Sequence, residues 1–265
     1  MTYRSMTNRS KWQRRAVIAG GAVGLFSWVK GLPLLLSSDD TGLEFETLDG
    51  LAPFRRLLRS GPATSAGGAV FAGIESSEPL SPDAEMMRQT VKDDPCAAFF
   101  GAQQTGAVPV AMFSDFKCPI CKTMNGRLAE LQEKTGDSFR IIRHELPLLG
   151  AASRTASKAV LAADIQGKYL EMHEILNRTP AVTDAAFVGS IAKNIGLDSN
   201  QLLRDMNSDE VEQKLRMSRA IADVFGFYGT PAFAVGRTVF LGAVPTLLLT
   251  RLITQEADGP CLQGQ

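Results

Sequence analysis

The chain is poor in the residues that most metal sites require. It has only two histidines, His144 and His173, and only four cysteines, of which one pair is close in sequence. A structural zinc site needs four Cys or His ligands, usually as two close pairs, and an iron–sulfur cluster needs four clustered cysteines. Because Cys96 and Cys261 stand alone and far apart, neither ligand set is available. The composition therefore predicts no bound metal.

The chain also lacks a net charge. It carries 28 basic and 28 acidic residues, but residues 1–38 hold six basic groups and no acidic ones, which leaves 22 basic against 28 acidic residues in the rest, a net charge of −6. No basic stripe with interleaved aromatic residues is present, so we expect no nucleic-acid partner. A length of 265 residues with 45% hydrophobic content suits one large domain, or one domain with an extension.

Residues 1–38 resemble an export signal. A basic start precedes an apolar run of about 14 residues at 16–29, which suits the core of a signal peptide better than a full membrane span. Residues 13–18 are loosely similar to a twin-arginine signal. The segment is predicted to be a signal peptide or an inner-membrane anchor, and the lack of a convincing small-x-small cleavage site favours the anchor. A buried helix of the domain is the alternative. Both export interpretations predict a periplasmic or otherwise extracytoplasmic body, where disulfides persist.

Residues 39–106 are predicted to form an N-terminal extension or linker. Residues 43–48 alternate like a short strand and residues 51–58 could form a helix. Gly, Ser, Ala and Pro dominate 60–68 and recur at 78–82, which is typical of loops. Whether this part folds onto the body or joins a partner stays open.

One stretch combines a strand, a turn and two cysteines at the start of a helix. Residues 108–113 form an apolar run typical of a strand, Cys118 and Cys121 follow a short turn, and a helical pattern continues to about residue 134. Cysteines at this spacing lie on one side of a helix, so their sulfurs can meet. A cysteine at a helix N-terminus ionises easily, because free N–H groups and the helix dipole favour an anion. The stretch predicts a reversible dithiol–disulfide pair, with a structural disulfide or half of a metal site as alternatives.

The remaining elements predict an α/β fold. Residues 139–146 suit a strand parallel to the one at 108–113, joined by a right-handed crossover. Residues 151–227 are predicted to be nearly continuous helix, capped internally by Asp184, Asp198 and Ser208. Strand-like runs at 232–235 and 238–241 flank a hairpin turn, and a last helix covers about 246–256. The order is therefore β-α-β, helices, β-β-α. We expect His144 to have a structural partner, with a role as a base as the alternative, and His173 to be a surface or packing residue.

The two isolated cysteines most simply form a second disulfide. In an oxidising compartment Cys96 and Cys261 would join the segment before the domain to the C-terminal tail, and unpaired thiols are the alternative. A loop of about 165 residues is worth on the order of 4–5 kcal/mol in the chain-entropy treatment, less any strain.

Five motifs carry a family resemblance. In chain order they are Phe113–Phe116, Cys118–Cys121, Glu145–Pro147, Gly229–Pro231 and Gly242–Ala243. Over about residues 107–257 they resemble the DsbA-like family of extracytoplasmic thiol–disulfide oxidoreductases. The resemblance implies a thioredoxin-like fold at 107–265 with an all-helical insertion at about 151–227. It also implies a cis bond before Pro231, beside the cysteines, and backbone groups at Thr230 that bind an extended substrate.

Two positions depart from the family pattern. Many members carry a buried acid six residues before the first cysteine, where this chain has Met112, and Asp115 lies nearer the motif. The residues between the cysteines, Pro119 and Ile120, differ from the Pro-His of the best-known oxidase. Both positions tune the thiol pKa, so the resemblance does not imply a strongly oxidising pair.

The mechanism expected from these features is thiol–disulfide exchange with exported polypeptides. Cys118 is the predicted exposed nucleophile and Cys121 its buried partner, and no metal, nucleotide or flavin is required. A membrane redox partner would regenerate the pair. A dithiol oxidase is favoured, and the alternatives are an isomerase or reductase on the same fold and a non-enzymatic, chaperone-like binding module.

Overall fold

The structure, a computed structural model, describes residues 43–58, 60–64, 81–101, 106–179 and 184–262. From Glu44 onward these residues belong to one unit. The predicted signal or anchor at 1–38 lies outside the described residues. Among the helices that are described, none combines the length and the apolar character needed to cross a membrane.

A six-stranded mixed sheet forms the centre of the unit. Its strands are β1 (Phe45–Thr47), β2 (Arg55–Leu57), β3 (Val108–Ser114), β4 (Phe139–Glu145), β5 (Ala232–Val235) and β6 (Thr238–Leu241). Their order across the sheet is β1-β2-β6-β5-β3-β4. The pairs β3–β4 and β2–β6 are parallel, whereas β1–β2, β5–β6 and β3–β5 are antiparallel.

Helices cover the sheet. They are α1 (Pro82–Asp93), α2 (Pro95–Phe100), α3 (Pro119–Thr135), α4 (Ala151–Ile165), α5 (Tyr169–Arg178), α6 (Ala185–Asn194), α7 (Ser199–Asp205), α8 (Asp209–Phe225) and α9 (Thr246–Gln255), with 3₁₀ turns at Gly136–Ser138 and Pro260–Leu262. One apolar cluster lies within the group from α4 to α8. A second is formed by α1, α2 and α8 against the sheet, around a set of buried phenylalanines. The result is a thioredoxin-like α/β fold with a helical insertion.

The central strand determines where the site lies. All seven residues of β3 are buried, as expected for a strand covered on both faces. Because β3 runs antiparallel to β5, its last residues meet the first residues of β5, with Phe113 opposite Ala232. The residues that follow β3 and those that precede β5 therefore lie at the same end of these two strands.

Most of the predicted elements are confirmed. The hairpin of β5 and β6 has the predicted bounds, and Asp184, Asp198 and Ser208 each accept a hydrogen bond from the first turn of the helix that they cap. The helix predicted at 51–58 is wrong, because residues 55–57 pair with β1 and β6 as a strand.

The sheet extends beyond the predicted catalytic domain. Strands β1 and β2 come from the stretch assigned to the extension, and they complete the same sheet as β3 to β6. Arg55 of β2 binds the buried carboxylate of Glu256 at 3.0 Å, and Thr238 of β6 donates to it at 2.9 Å. A domain boundary near residue 107 stays a prediction, but the described part of the extension is built into the fold.

Candidate active site

Cys118 is the N-cap residue of α3. In the turn after β3, the backbone N–H of Cys118 donates to the carbonyl of Asp115 at 3.0 Å, and Pro119 begins the helix. The sulfur accepts a hydrogen bond from the backbone N–H of Cys121 at 3.2 Å. The cap position that Ser, Thr or Asp usually fills is thus taken by a sulfur. A thiolate there satisfies an N–H group that the first turn would leave free.

The surroundings favour ionisation of this thiol. The hydrogen bond from the Cys121 thiol, with help from the hydroxyl of Thr64 and the Cys121 N–H, lowers the pKa of Cys118 to about 6 against the opposing effect of burial. Hydrogen bonds to the charged form always act in this direction. Cys118 is therefore mostly thiolate at neutral pH, which is the form that attacks disulfides.

Cys121 has the opposite character. It lies one turn into α3, is 1% exposed, and carries a free thiol, as Cys118 does. Burial, together with the neighbouring Cys118 sulfur, raises the pKa of the Cys121 thiol. The two sulfurs thus form an asymmetric pair, in which one holds the negative charge and the other the proton.

Asp115 holds the turn that presents the cysteines. Its carboxylate is 1% exposed and accepts hydrogen bonds from the backbone N–H groups of Lys117, Leu148 and Leu149 at 2.7–2.8 Å, and from the Ser153 hydroxyl at 2.6 Å. The side chain therefore joins the β3–α3 turn to the start of α4. Its contribution to the site is positional.

The loop before β5 forms the other wall of the site. The Thr230–Pro231 peptide bond is cis, as the resemblance implies, and the carbonyl oxygen of Thr230 lies 3.4 Å from the Cys118 sulfur. The cis-proline loop and the cysteine pair are therefore neighbours at the end of β3 and the start of β5, as the register of these two strands requires.

The predicted exposure of Cys118 is wrong. Its relative exposure is 0%, because residues from the extension lie against it, with the Thr64 Oγ1 at 3.5 Å from the sulfur. The sequence does not single out Thr64, since it stands in a stretch of small residues that is typical of a loop. No local pattern indicates which distant edge such a segment contacts.

Both histidines pack as predicted. His144 stacks on Phe113 at 4.4 Å and its Nε2 lies 2.8 Å from the Phe99 carbonyl, while burial lowers its pKa to about 4. His173 is buried between Phe116 and Tyr169, and burial lowers its pKa to about 3. Both rings are held neutral at physiological pH.

Met112 is 1% exposed within β3.

A buried acid lies at the end of the neighbouring strand. Glu145 of β4 pairs in register with Ser114 and accepts a hydrogen bond from the Tyr169 hydroxyl at 2.5 Å. Burial raises the pKa of Glu145 to about 7, although Tyr169 and the Arg143 charge act to lower it. Glu145 belongs to the Glu145–Pro147 motif of the family resemblance, but that resemblance does not imply a buried carboxyl at this position.

The other two cysteines, Cys96 and Cys261, form a disulfide, with Cα atoms 5.4 Å apart. The bridge joins α2 to the C-terminal 3₁₀ turn, and both cysteines pack against the phenylalanine cluster. Over the part of the chain that the structure describes, no three His, Cys, Asp or Glu side chains are grouped closely enough to hold a metal ion.

These features define a class of protein. A mixed sheet with a Cys-x-x-Cys pair at the N-terminus of α3, facing a cis proline before β5, is the site of a thioredoxin-like oxidoreductase. A family model described as a DSBA-like thioredoxin domain matches residues 109–253. The chain belongs to this family of thiol–disulfide oxidoreductases.

Solved structures show the same architecture. A thioredoxin-like oxidoreductase from Silicibacter pomeroyi DSS-3 is 30% identical, with a TM-score of 0.55, 68% of this chain covered and 99% of that chain. The thiol–disulfide exchange protein alpha-DsbA2 from Wolbachia pipientis is 22% identical, with a TM-score of 0.56 and coverage of 67% and 99%. The second likeness shows the fold alone.

Curated relatives are much longer proteins. The Na(+)/H(+) antiporter NhaA 1 of Mycobacterium sp. (strain KMS) is 26% identical over 167 residues, which is 62% of this chain and 25% of that protein. NhaA 3 of Salinispora tropica is 26% identical over 197 residues, or 74% of this chain and 27% of that protein. The chain thus spans about a quarter of the length of these relatives.

Proposed function

We propose that the chain oxidises dithiols in exported polypeptides through Cys118 and Cys121. A client thiolate attacks the Cys118 sulfur of the Cys118–Cys121 disulfide, and a mixed disulfide forms while Cys121 leaves with the electron pair. The Cys121 sulfur takes up a proton, as its raised pKa favours. A second client thiolate then attacks the client sulfur of the mixed disulfide, and Cys118 leaves as a thiolate. The client gains one disulfide and the enzyme is left as the dithiol.

The lowered pKa of Cys118 supports the oxidising direction. A thiol with a pKa of about 6 is stabilised at pH 7 by about 1.4 kcal/mol relative to one with a pKa near 9. Only the dithiol form gains this energy, so the disulfide becomes easier to reduce, by about 30 mV for a two-electron couple. The gain is fully present above about pH 9 and is lost as the pH falls through 6.

Client binding is assigned to the cis-proline loop. Thr230 and Pro231 lie beside the Cys118 sulfur, and the backbone groups of Thr230 would pair with an extended client. The oxidising pair would be regenerated by a membrane redox partner.

Residues 1–38 are proposed to export the chain and 107–265 to form the catalytic domain, with 39–106 as the extension. The basic and apolar start of the chain supports an extracytoplasmic location, either secreted into the periplasm or tethered to the inner membrane. The Cys96–Cys261 disulfide agrees with such a compartment.

Oxidation of a reduced, unfolded client protein in a glutathione buffer tests the activity. Cys118→Ser should reduce the rate to that of the buffer alone, and Cys121→Ser should accumulate the client as a mixed disulfide on Cys118. Oxidation by Cys118→Ser at the wild-type rate would contradict the role of Cys118, and a wild type no faster than the buffer would indicate a binding module without redox chemistry.

The direction requires a second measurement. Thiol trapping in intact cells should find the Cys118–Cys121 pair as a disulfide, because an oxidase must be held oxidised to work. A pair that is reduced at steady state would contradict an oxidase and indicate the isomerase or reductase.

A further inference from the structure

The backbone of Thr230, whose carbonyl lies beside the Cys118 sulfur, is already paired with another segment of the same chain. The Thr64 N–H donates to the Thr230 carbonyl at 2.6 Å, and the Thr230 N–H donates to the Thr64 carbonyl at 2.8 Å. This is an antiparallel bridge. It uses both backbone groups of the residue before the cis proline, which are the groups assigned above to the client.

The pairing continues away from the cysteines. Gly61 donates to the carbonyl of Ala243 at 2.8 Å, and Ala243 donates to the carbonyl of Pro62 at 3.0 Å. The hydroxyl of Ser60 donates to the carbonyl of Leu241. Residues 60–64 therefore lie as a short extended segment along the end of β6 and the cis-proline loop, in the way that a bound peptide adds to a sheet edge.

Close backbone contacts show that this segment fits its place. A Cβ atom on Gly61 would collide with the carbonyl of Ala243, and one on Gly242 would collide with the carbonyl of Gly61. Gly242 has a φ of +100°, which disfavours other residues there as well. The two glycines thus permit an approach that larger residues would prevent.

We propose that residues 60–64 act as an intramolecular pseudo-client that occupies the client groove, with Thr64 at the place of the client cysteine. The Thr64 Oγ1 lies 3.5 Å from the Cys118 sulfur, so a sulfur at this position would be within reach of exchange. This inference rests on the proposed function, because it assigns the groove to clients. A client must displace the segment before its own thiolate can reach Cys118.

The segment is held in a way that permits displacement. Residues 60–62 are exposed and residues 63–64 are half-buried, so little apolar area opposes release. A cleft of about 630 Å³ runs along its other side, between Ser60, Gly61 and Ala63 and the loop at Phe227 and Tyr228. The segment is therefore held by the two Thr230 hydrogen bonds, which a client backbone could form in its place, and by the bonds to Ala243 and Leu241.

A cysteine substitution tests the register of the segment. Thr64→Cys in a Cys121→Ser background should form a disulfide with Cys118 when oxidised glutathione accepts the two electrons and two protons of the two thiols. Ala63→Cys is the matched control, because neighbouring residues of an extended segment point to opposite sides. Peptide mapping should find the cross-link to Cys118 for position 64 only. Absence of that cross-link, or equal cross-linking from position 63, would overturn the placement.

A glycine substitution tests the covering of Cys118. Gly61→Ala should release the segment, and Gly126→Ala is the control, since a Cβ at Gly126 meets nothing within 4 Å. At a pH well above the pKa of Cys118, iodoacetamide should alkylate Cys118 in Gly61→Ala about tenfold faster than in the wild type, if the segment leaves only about a tenth of molecules open. Equal rates would refute the self-occupied groove.

The outcomes separate the two proposals. If the wild type oxidises clients but the position-64 cross-link and the Gly61→Ala acceleration both fail, the pseudo-client is wrong and the enzyme stands. If both succeed while Cys118→Ser retains full activity toward clients, the segment covers Cys118 but the proposed chemistry is wrong.

Discussion

The pKa of Cys118 should depend on which side chain stands at position 121. The hydrogen bond from the Cys121 thiol is the largest of the effects that bring the Cys118 pKa to about 6. Cys121→Ala removes this donor, whereas Cys121→Ser keeps an O–H in its place. The two variants therefore differ in one hydrogen bond to the thiolate, and the rest of the N-cap is the same.

The expected difference follows from the strength of such a bond. A hydrogen bond to a charged group contributes about 1.5–3 kcal/mol, and 1.36 kcal/mol corresponds to about one pKa unit. We therefore expect the pKa of Cys118 to rise by about one to two units in Cys121→Ala and to stay near 6 in Cys121→Ser. At pH 7 about 90% of Cys118 would be thiolate in the Ser variant, and half or less in the Ala variant.

The ultraviolet absorbance of the thiolate, followed against pH, measures this difference directly. The rate of alkylation by iodoacetamide gives an independent titration, and Cys118→Ser should show no transition near pH 6. Cooperative unfolding of both variants must first show that each is folded. If the two variants titrate within about half a unit of each other, the Cys121 thiol is not the donor that sets the Cys118 pKa.

Two further predictions concern stability. Glu145 has a raised pKa of about 7, so its ionisation costs stability as the pH rises from about 4.5 through 7. Glu145→Gln should leave the free energy of unfolding unchanged at pH 4.5 but raise it by about 3 kcal/mol at pH 8. Urea titrations that show no such pH dependence would contradict this. Replacing both Cys96 and Cys261 by Ser opens a loop with a sequence separation of 165 and should lower the free energy of unfolding by up to about 4–5 kcal/mol. An unchanged Cys118 pKa is the control for an intact site. An unchanged midpoint of urea unfolding would show that the bridge does not restrain the unfolded chain.

The parts of the fold that the sequence predicts are those that local chemistry determines. The caps at Asp184, Asp198 and Ser208 are short-range hydrogen bonds, so their side chains announce helix starts. The hairpin of β5 and β6 is likewise local. The Cys118 N-cap follows from the strand, turn and helix around it. By contrast, only the family resemblance predicts the cis bond before Pro231, because an X–Pro bond is seldom cis without further context.

The parts that were missed depend on contacts distant in sequence. Residues 51–58 suggest a helix by pattern, but Arg55 and Arg56 pair with Thr238 and Val239 of β6, which lie more than 180 residues away. The burial of Cys118 comes from Thr64, which is 54 residues away in sequence. Pairing of this kind overrides local preference, and a single sequence does not show which partners meet.

These two long-range contacts have one origin. Arg55 is fixed to β6 through Thr238 at 2.9 Å and to the buried carboxylate of Glu256 at 3.0 Å, so the chain leaves β2 beside the end of β6. Only two residues separate the end of β2 at Leu57 from Ser60, and chain direction alone then carries the next residues along Leu241 toward the cis proline. Strand β2, whose sequence pattern suggests a helix, is thus the anchor that places residues 60–64 beside the cis-proline loop. Weakening that anchor, like the Gly61→Ala substitution, would therefore uncover Cys118 without any change at the cysteines.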